Sequence, residues 1–210
     1  MAQIVLAYCA SHAPMMAAAR DSAPEDQRDR FFGALDRIRQ EARERGVQAC
    51  VVLSNEHFTN FFLENFPQIC IGLGERNWGP TEPWLEIAKV WIPGHPALGE
   101  AVRSFPEPLR VAVVGAGGLS HHVGTPTVGD IDEEFDRWFL DRLEQGRIEE
   151  LLDLTDAEIE LAGNGAHEIR SWLTVAGAAA PGTARTLAYE PVYPWITGMA
   201  VSRFVTAGVS

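Results

Sequence analysis

Apolar positions along the chain form short continuous runs, and between them lie segments whose apolar residues recur at helical spacing. Ile4–Tyr8 is a run that closes in Cys-Ala-Ser-His-Ala-Pro, which predicts a buried strand followed by a loop. Pro24 opens a helix on which Phe31, Leu35, Ile38 and Ala42 form one stripe, and Gly46 stops it. Ala49–Ser54 is a second buried strand running into Asn-Glu-His, so the chain opens strand–helix–strand. Residues 57 to 96 are rich in aromatics, glycine and proline, and predict only one short strand, at Gln68–Leu73. Arg110–Val114 is a third buried strand and ends in Gly-Ala-Gly-Gly-Leu-Ser-His-His. Asp130 and Glu133 read as a capping box for a helix that turns Ile131, Phe135, Trp138, Phe139 and Leu143 inward and ends at Gly146. Thr155 and Glu158 cap a shorter helix. Gly165–Ala176 is the last, with Ile169, Trp172, Leu173 and Ala176 on its apolar face. Tyr189, Tyr193 and Trp195 fall in a proline-rich tail expected to pack on the core. The pattern predicts an α/β fold with a central sheet flanked by helices. With no repeat or linker to divide it, residues 1–210 are expected to form a single domain.

Composition narrows the partners. Apolar residues make up 46% of the 210 and charged residues 22%, ordinary values for a chain that buries a core. Lys and Arg number 17 against 29 Asp and Glu, a net charge of −12, which repels nucleic-acid phosphates and anionic membrane surfaces. No window reaches the roughly 18 apolar residues of a membrane span, and the N-terminus lacks the basic lead-in of a signal peptide. The three cysteines lack CxxC spacing and each sits in an apolar run, so buried thiols in a reducing cytoplasm are expected, with no zinc knuckle or disulfide framework.

Three of the predicted strands end in loops that carry a histidine: His12, His57 and His121. Ligands of open α/β sheets gather outside the carboxyl ends of strands, so three imidazoles delivered to that edge suggest a site. Any one of them alone reads equally as a hydrogen-bonded loop histidine. Glu168 borders the buried face of its helix, where a carboxylate is costly unless paired or bound to a metal, although it also suits a helix N-terminus. Two histidines and a carboxylate form the facial triad of non-haem Fe(II) oxygenases, and spacing does not separate iron from zinc or manganese. A histidine left off the metal would serve as acid or base. His167 should point outward, and His95, between Gly94 and Pro96, reads as a turn residue. Gly115–Ser120 imitates a dinucleotide fingerprint but lacks its third glycine and the helix behind it. Ser11 and Ser120 lack the GxSxG elbow of a serine hydrolase.

Six blocks resemble, in order, the class III extradiol ring-cleavage dioxygenases of the protocatechuate 4,5-dioxygenase β-subunit type. They are Ser11-His12-Ala13-Pro14, Ser54–Phe62, Pro93-Gly94-His95-Pro96, Gly117-Gly118-Leu119-Ser120-His121, Glu168–Trp172 and Thr197-Gly198-Met199-Ala200. The resemblance implies Fe(II) held by His12, His57 and Glu168, with His121 as the acid/base that assists ring opening of a catechol-type substrate by O2. Asn55 and Phe58, beside His57, and His122, beside His121, are expected to meet the substrate, although His122 equally suits a surface role and Phe58, Phe61 and Phe62 also suit a core. A homo-oligomer or a complex with a small second subunit is implied as well. The chain departs from the family in carrying Glu56 where Asp is usual. It also joins the Gly-His-Pro block to Gly-Gly-Leu-Ser-His through Ala97–Arg110 alone, where relatives carry a further block that walls the substrate pocket. The alternative expectation is a catalytically incomplete, metal-binding relative that acts as a binding or regulatory subunit.

Overall fold

The structure, a computed structural model, describes residues 3–55, 57, 64, 70–80, 87–101 and 109–205. Its centre is a five-stranded mixed sheet in the order β2-β5-β1-β7-β6. β1 (Gln3–Ala10), β2 (Ala49–Leu53) and β5 (Arg110–Ala116) are parallel, while β7 (Thr197–Phe204) pairs antiparallel with both β1 and β6 (Ala184–Val192). A separate two-stranded antiparallel sheet joins β3 (Arg76–Gly79) to β4 (Val90–Pro93), with Trp78 opposite Trp91.

Alternation along the strands sorts the core into two layers. Leu6, Ala112, Met199 and Val201 face α2 (Glu25–Glu44), meeting Phe31, Ala34 and Ile38. Ala7, Cys9, Val113, Ala200 and Phe204 face the opposite layer. That layer contains α4 (Glu133–Glu144), α5 (Ile148–Leu152), α6 (Asp156–Leu161) and α7 (Ile169–Ala179), with Phe139, Leu143, Trp172 and Val175 fully buried. Side chains such as Phe31, Phe139 and Leu143 each contribute roughly 1.5–3 kcal/mol by leaving water.

The local signals explain most helix ends. Pro24 caps α2, Glu25 and Asp26 face the positive end of its dipole, and Gly46 follows it at φ +60°. Thr155 and Glu158 form the expected reciprocal capping box of α6. The four residues expected on the apolar face of α7 are buried. No helix among the described residues is long and apolar enough to cross a membrane.

Five expectations need correction. The cap of α4 is Asp132, whose side chain accepts from the Phe135 N–H at 2.9 Å, while the Asp130 N–H closes a turn on Thr127. The proline-rich tail is not merely packed on the core: it supplies β6 and β7. The 3-10 turn Tyr193–Trp195 and Ile196 at φ 56° reverse the chain between them. Residues 70–73 are not strand, and the rest of the Gln68–Leu73 prediction lies outside the described residues. β2 is only half buried, because it is the edge of the sheet. The cysteines are not all buried: Cys9 is, but Cys50, on that edge strand, and Cys70 are exposed. Cys50 lines an open groove of about 540 Å³ beside α2, together with Tyr8, Leu35 and Ile38.

Candidate metal centre

β2, β5 and β1 are parallel neighbours, so the loops after them open at one edge of the sheet. His12 follows β1, His57 follows β2 and His121 follows β5. Glu168 approaches from across the sheet edge, at the end of the 3-10 turn Ala166–Glu168 and at the N-cap of α7. Two bonds stitch that helix to the end of β5: the Trp172 indole N–H donates to Gly117 O at 3.1 Å, and the Ser171 hydroxyl donates to Ala116 O at 2.5 Å.

His12, His57 and Glu168 present ligand atoms that all lie within 4.8 Å of one another. His12 Nε2 stands 3.2 Å from His57 Nε2, and His57 Nε2 stands 3.3 Å from Glu168 Oε1. Donors about 2.1 Å from a shared ion stand about 3.0 Å apart at right angles and about 3.4 Å apart at tetrahedral angles, so this spacing suits one small divalent cation.

The electrostatics point the same way. Burial, and then the neighbouring His57 and His121, push the His12 imidazole down to about 4, so it is a neutral lone-pair donor at pH 7. Burial pushes the Glu168 carboxyl up to about 7 against the Gly118 N–H, which donates to Oε2 at 2.5 Å. The other oxygen, Oε1, is buried without a hydrogen-bond partner among the described residues. A buried carboxylate oxygen left unpaired costs free energy that a cation would recover. The donor set and this orphaned atom therefore fit a divalent metal.

The fit carries a pH dependence. Without metal, Glu168 holds a proton up to about pH 7, whereas His12 is already neutral above about 4. With Glu168 as a ligand, a cation bound below pH 7 would displace its proton, so affinity should rise with pH up to about 7 and flatten above it. Calorimetry in buffers of different ionisation heat should find more protons released per Fe(II) at pH 6 than at pH 8. Equal release at both would remove Glu168 from the ligand set.

His121 lies beside this cluster and outside it, with Nε2 3.9 Å from Glu168 Oε2. Its Nδ1–H donates to Leu119 O at 2.8 Å, which leaves the lone pair on Nε2. Burial lowers its pKa, opposed by that backbone bond. Glycines make room for it. A Cβ on Gly118 would stand 3.0 Å from the ring, and one on Gly165 would stand 2.1 Å from Nε2. Gly117, at φ +139°, lets Glu168 approach: a Cβ there would meet that of Glu168 at 2.6 Å. The glycine run after β5 thus serves Glu168 and His121, not a phosphate.

The remaining candidates fall around the edge. His122 is half buried and makes no hydrogen bond to another described residue, and Asn55 is exposed. Phe58, Phe61, Phe62 and Glu56 lie outside the described residues. His95 accepts from the Leu98 N–H at 2.9 Å and caps α3 (Pro96–Ala101), the turn role expected of it. His167 points toward Asp156 and Glu160, away from the cluster.

Sequence reading missed the supports. Ser11 donates to Gly198 O and accepts from the Ala200 N–H, tying the His12 loop to β7. Asn164 exchanges two bonds with the backbone of Val123, and the Gly165 N–H donates to His121 O. Asp136 is fully buried and holds Ser120. Asp136 was findable, being an acid on the apolar stripe of α4, the same signal that marks Glu168.

A family model described as the catalytic LigB subunit of aromatic ring-opening dioxygenase matches residues 94–200. The chain is 27% identical over 208 residues to a Pseudomonas putida 2,3-dihydroxyphenylpropionate/2,3-dihydroxicinnamic acid 1,2-dioxygenase 1, covering 74% of this chain and 65% of that one. It is 36% identical over 106 residues to the gallate dioxygenase of Pseudomonas putida strain KT2440, 50% of this chain and 30% of that one. In both comparisons the chain spans less than two thirds of the relative. A 2,3-dihydroxyphenylpropionate/2,3-dihydroxicinnamic acid 1,2-dioxygenase of Paraburkholderia xenovorans aligns over 305 residues at 24% identity, covering 91% of this chain and 95% of that one. That alignment is longer than the chain itself, so this relative carries residues with no counterpart here. With half of its length matched, the chain belongs to the family of the catalytic LigB subunit of aromatic ring-opening dioxygenase.

Proposed function

We propose that the chain is an Fe(II)-dependent extradiol dioxygenase that opens the ring of a catechol-type aromatic with O2. In this reading His12, His57 and Glu168 hold the iron and His121 is the acid/base. The observation that carries it is the orphaned Glu168 Oε1 beside two imidazole nitrogens, with the Nε2 lone pair of a fourth group a few ångströms away. When bound, the iron supplies a centre through which electrons of the catechol reach dioxygen. The chain's own groups do the rest. The Gly118 N–H fixes one oxygen of Glu168 and leaves the other for the metal. Leu119 O holds His121 in the tautomer that exposes Nε2, which takes a proton from a substrate hydroxyl and returns it as the ring opens. Asn55, Phe58 and His122 are kept as the substrate-facing residues.

The names of the relatives make 2,3-dihydroxyphenylpropionate and gallate the first probes. The free thiols favour a reducing cytoplasm as the compartment, and the acidic balance disfavours nucleic-acid partners. A homo-oligomer or a small second subunit belongs to the same reading. The test is oxygen uptake with either probe by the anaerobically iron-loaded chain. Uptake that requires both iron and catechol supports the reading. Stoichiometric iron without uptake supports the catalytically incomplete alternative.

A further inference from the structure

We propose that Asp136 is a positioning residue for His121: acting through Ser120, it fixes the Gly117–His121 loop and so the direction of the His121 Nε2 lone pair. The inference rests on the acid/base reading of His121.

Asp136 lies on the inner side of α4, fully buried, and no cation faces it among the described residues. Three donors converge on it. The Ser120 N–H reaches Oδ1 at 2.7 Å, and the Ser120 hydroxyl and the Tyr189 hydroxyl reach Oδ2 at 2.9 and 3.0 Å. Ser120 Oγ in turn accepts from the Asp132 N–H at 2.9 Å. Both the backbone and the side chain of the residue before His121 are thus held by one carboxylate. The other side of the loop is held by β7, where the Leu119 N–H donates to Gly198 O and the Gly198 N–H donates to Ser120 O. Gly198 has no side chain because a Cβ there would stand 1.9 Å from Asp136 Oδ2. Burial raises the Asp136 carboxyl to about 6, opposed by its three donors, so it is the acceptor they need at neutral pH.

The site demands an acceptor-only group. In Asp136→Asn, an amide placed with its oxygen toward the Ser120 N–H turns its NH2 toward two hydroxyls that both donate in the unaltered chain, so both must turn their hydrogens away and the Ser120 and Tyr189 contacts to position 136 reverse or break. The Ser120 N–H keeps its bond, but the Ser120 hydroxyl loses its acceptor, so the Leu119–Ser120 segment is held less firmly from the α4 side, and with it the carbonyl that sets the His121 tautomer. A misplacement of about 1 Å at a reacting group costs about 10²-fold in rate.

Two readouts on the full chain test this. In the metal-free, 15N-histidine-labelled protein, the His121 Nδ1–H should give a slowly exchanging signal, assigned by its loss in His121→Ala. In Asp136→Asn that signal should exchange rapidly. In the iron-loaded protein the same variant should keep its iron and a KM for 2,3-dihydroxyphenylpropionate within about threefold, while kcat falls about 10²-fold. Ser120→Ala should show the same split at about tenfold, and it decides the matter if Asp136→Asn does not fold. An unchanged signal with unchanged kcat overturns the proposal, as does a rise in KM and loss of iron with the signal unchanged, or no slow signal in the unaltered chain. If the unaltered chain shows the signal but consumes neither 2,3-dihydroxyphenylpropionate nor gallate, the acid/base reading fails while the anchoring of His121 stands.

Discussion

Replacing His12 or His57 by alanine should strip the purified chain of stoichiometric iron. Each supplies one of three donor atoms that lie within 4.8 Å of one another. His121, whose Nδ1 donates to Leu119 O and whose Nε2 stands 3.9 Å from Glu168 Oε2, would have to shift to replace either. Removing an outer-shell partner of a metal ligand already costs 10–100-fold in affinity, so loss of a ligand itself should cost at least about 100-fold. Glu168→Gln is the more informative change. Its amide oxygen can still accept from the Gly118 N–H, so the loop should stay in place while the second position becomes an NH2 that cannot bind a cation. Elemental analysis after anaerobic loading reads all three variants. Full iron in the His12→Ala/His57→Ala double variant would remove both residues from the site.

His121→Ala should separate binding from chemistry. The ring sits in a slot between Gly118 and Gly165, so alanine empties that slot without loading it, and His12, His57 and Glu168 are untouched. Iron content should stay the same. Turnover should fall by about 10²–10⁴-fold, the usual contribution of a positioned proton-transfer group. Added imidazole should restore part of the rate by entering the vacated slot. Burial lowers the His121 pKa, so the acid limb of the kcat/KM profile should lie below the ordinary histidine value of about 6.5 and vanish in the variant. Loss of iron with an unchanged pH profile would instead make His121 a ligand.

The parallel half of the fold was legible because its strands are short apolar runs that end in glycine or polar loops. Their shared direction is what brings His12, His57 and His121 to one edge. Glu168 stood out as a carboxylate against an apolar stripe, and the structure buries it. The antiparallel half was not legible. β6 alternates only loosely, with Arg185, Glu190 and Pro191 inside it, and its register is set by β7 and not by its own pattern. Trp78 and Trp91 pair across β3 and β4 because of a cross-strand contact that no local signal announces. The anchors of the site were hidden for the same reason. Ser11 bonds to Gly198 and Ala200, and Asp136 bonds to Ser120 and Tyr189, partners distant in sequence that only the folded sheet brings together.

The most direct measurement is the fate of oxygen in a single turnover. The iron-loaded chain is mixed with 2,3-dihydroxyphenylpropionate under 18O2, and the ring-opened product is weighed by mass spectrometry. Extradiol cleavage puts both atoms of one O2 into the product. A product four mass units heavier than its 16O2 counterpart, formed one for one with oxygen consumed and absent in Glu168→Gln, is the expected result. Unchanged substrate, or oxygen recovered as peroxide from an iron-replete chain, would contradict ring cleavage by this protein.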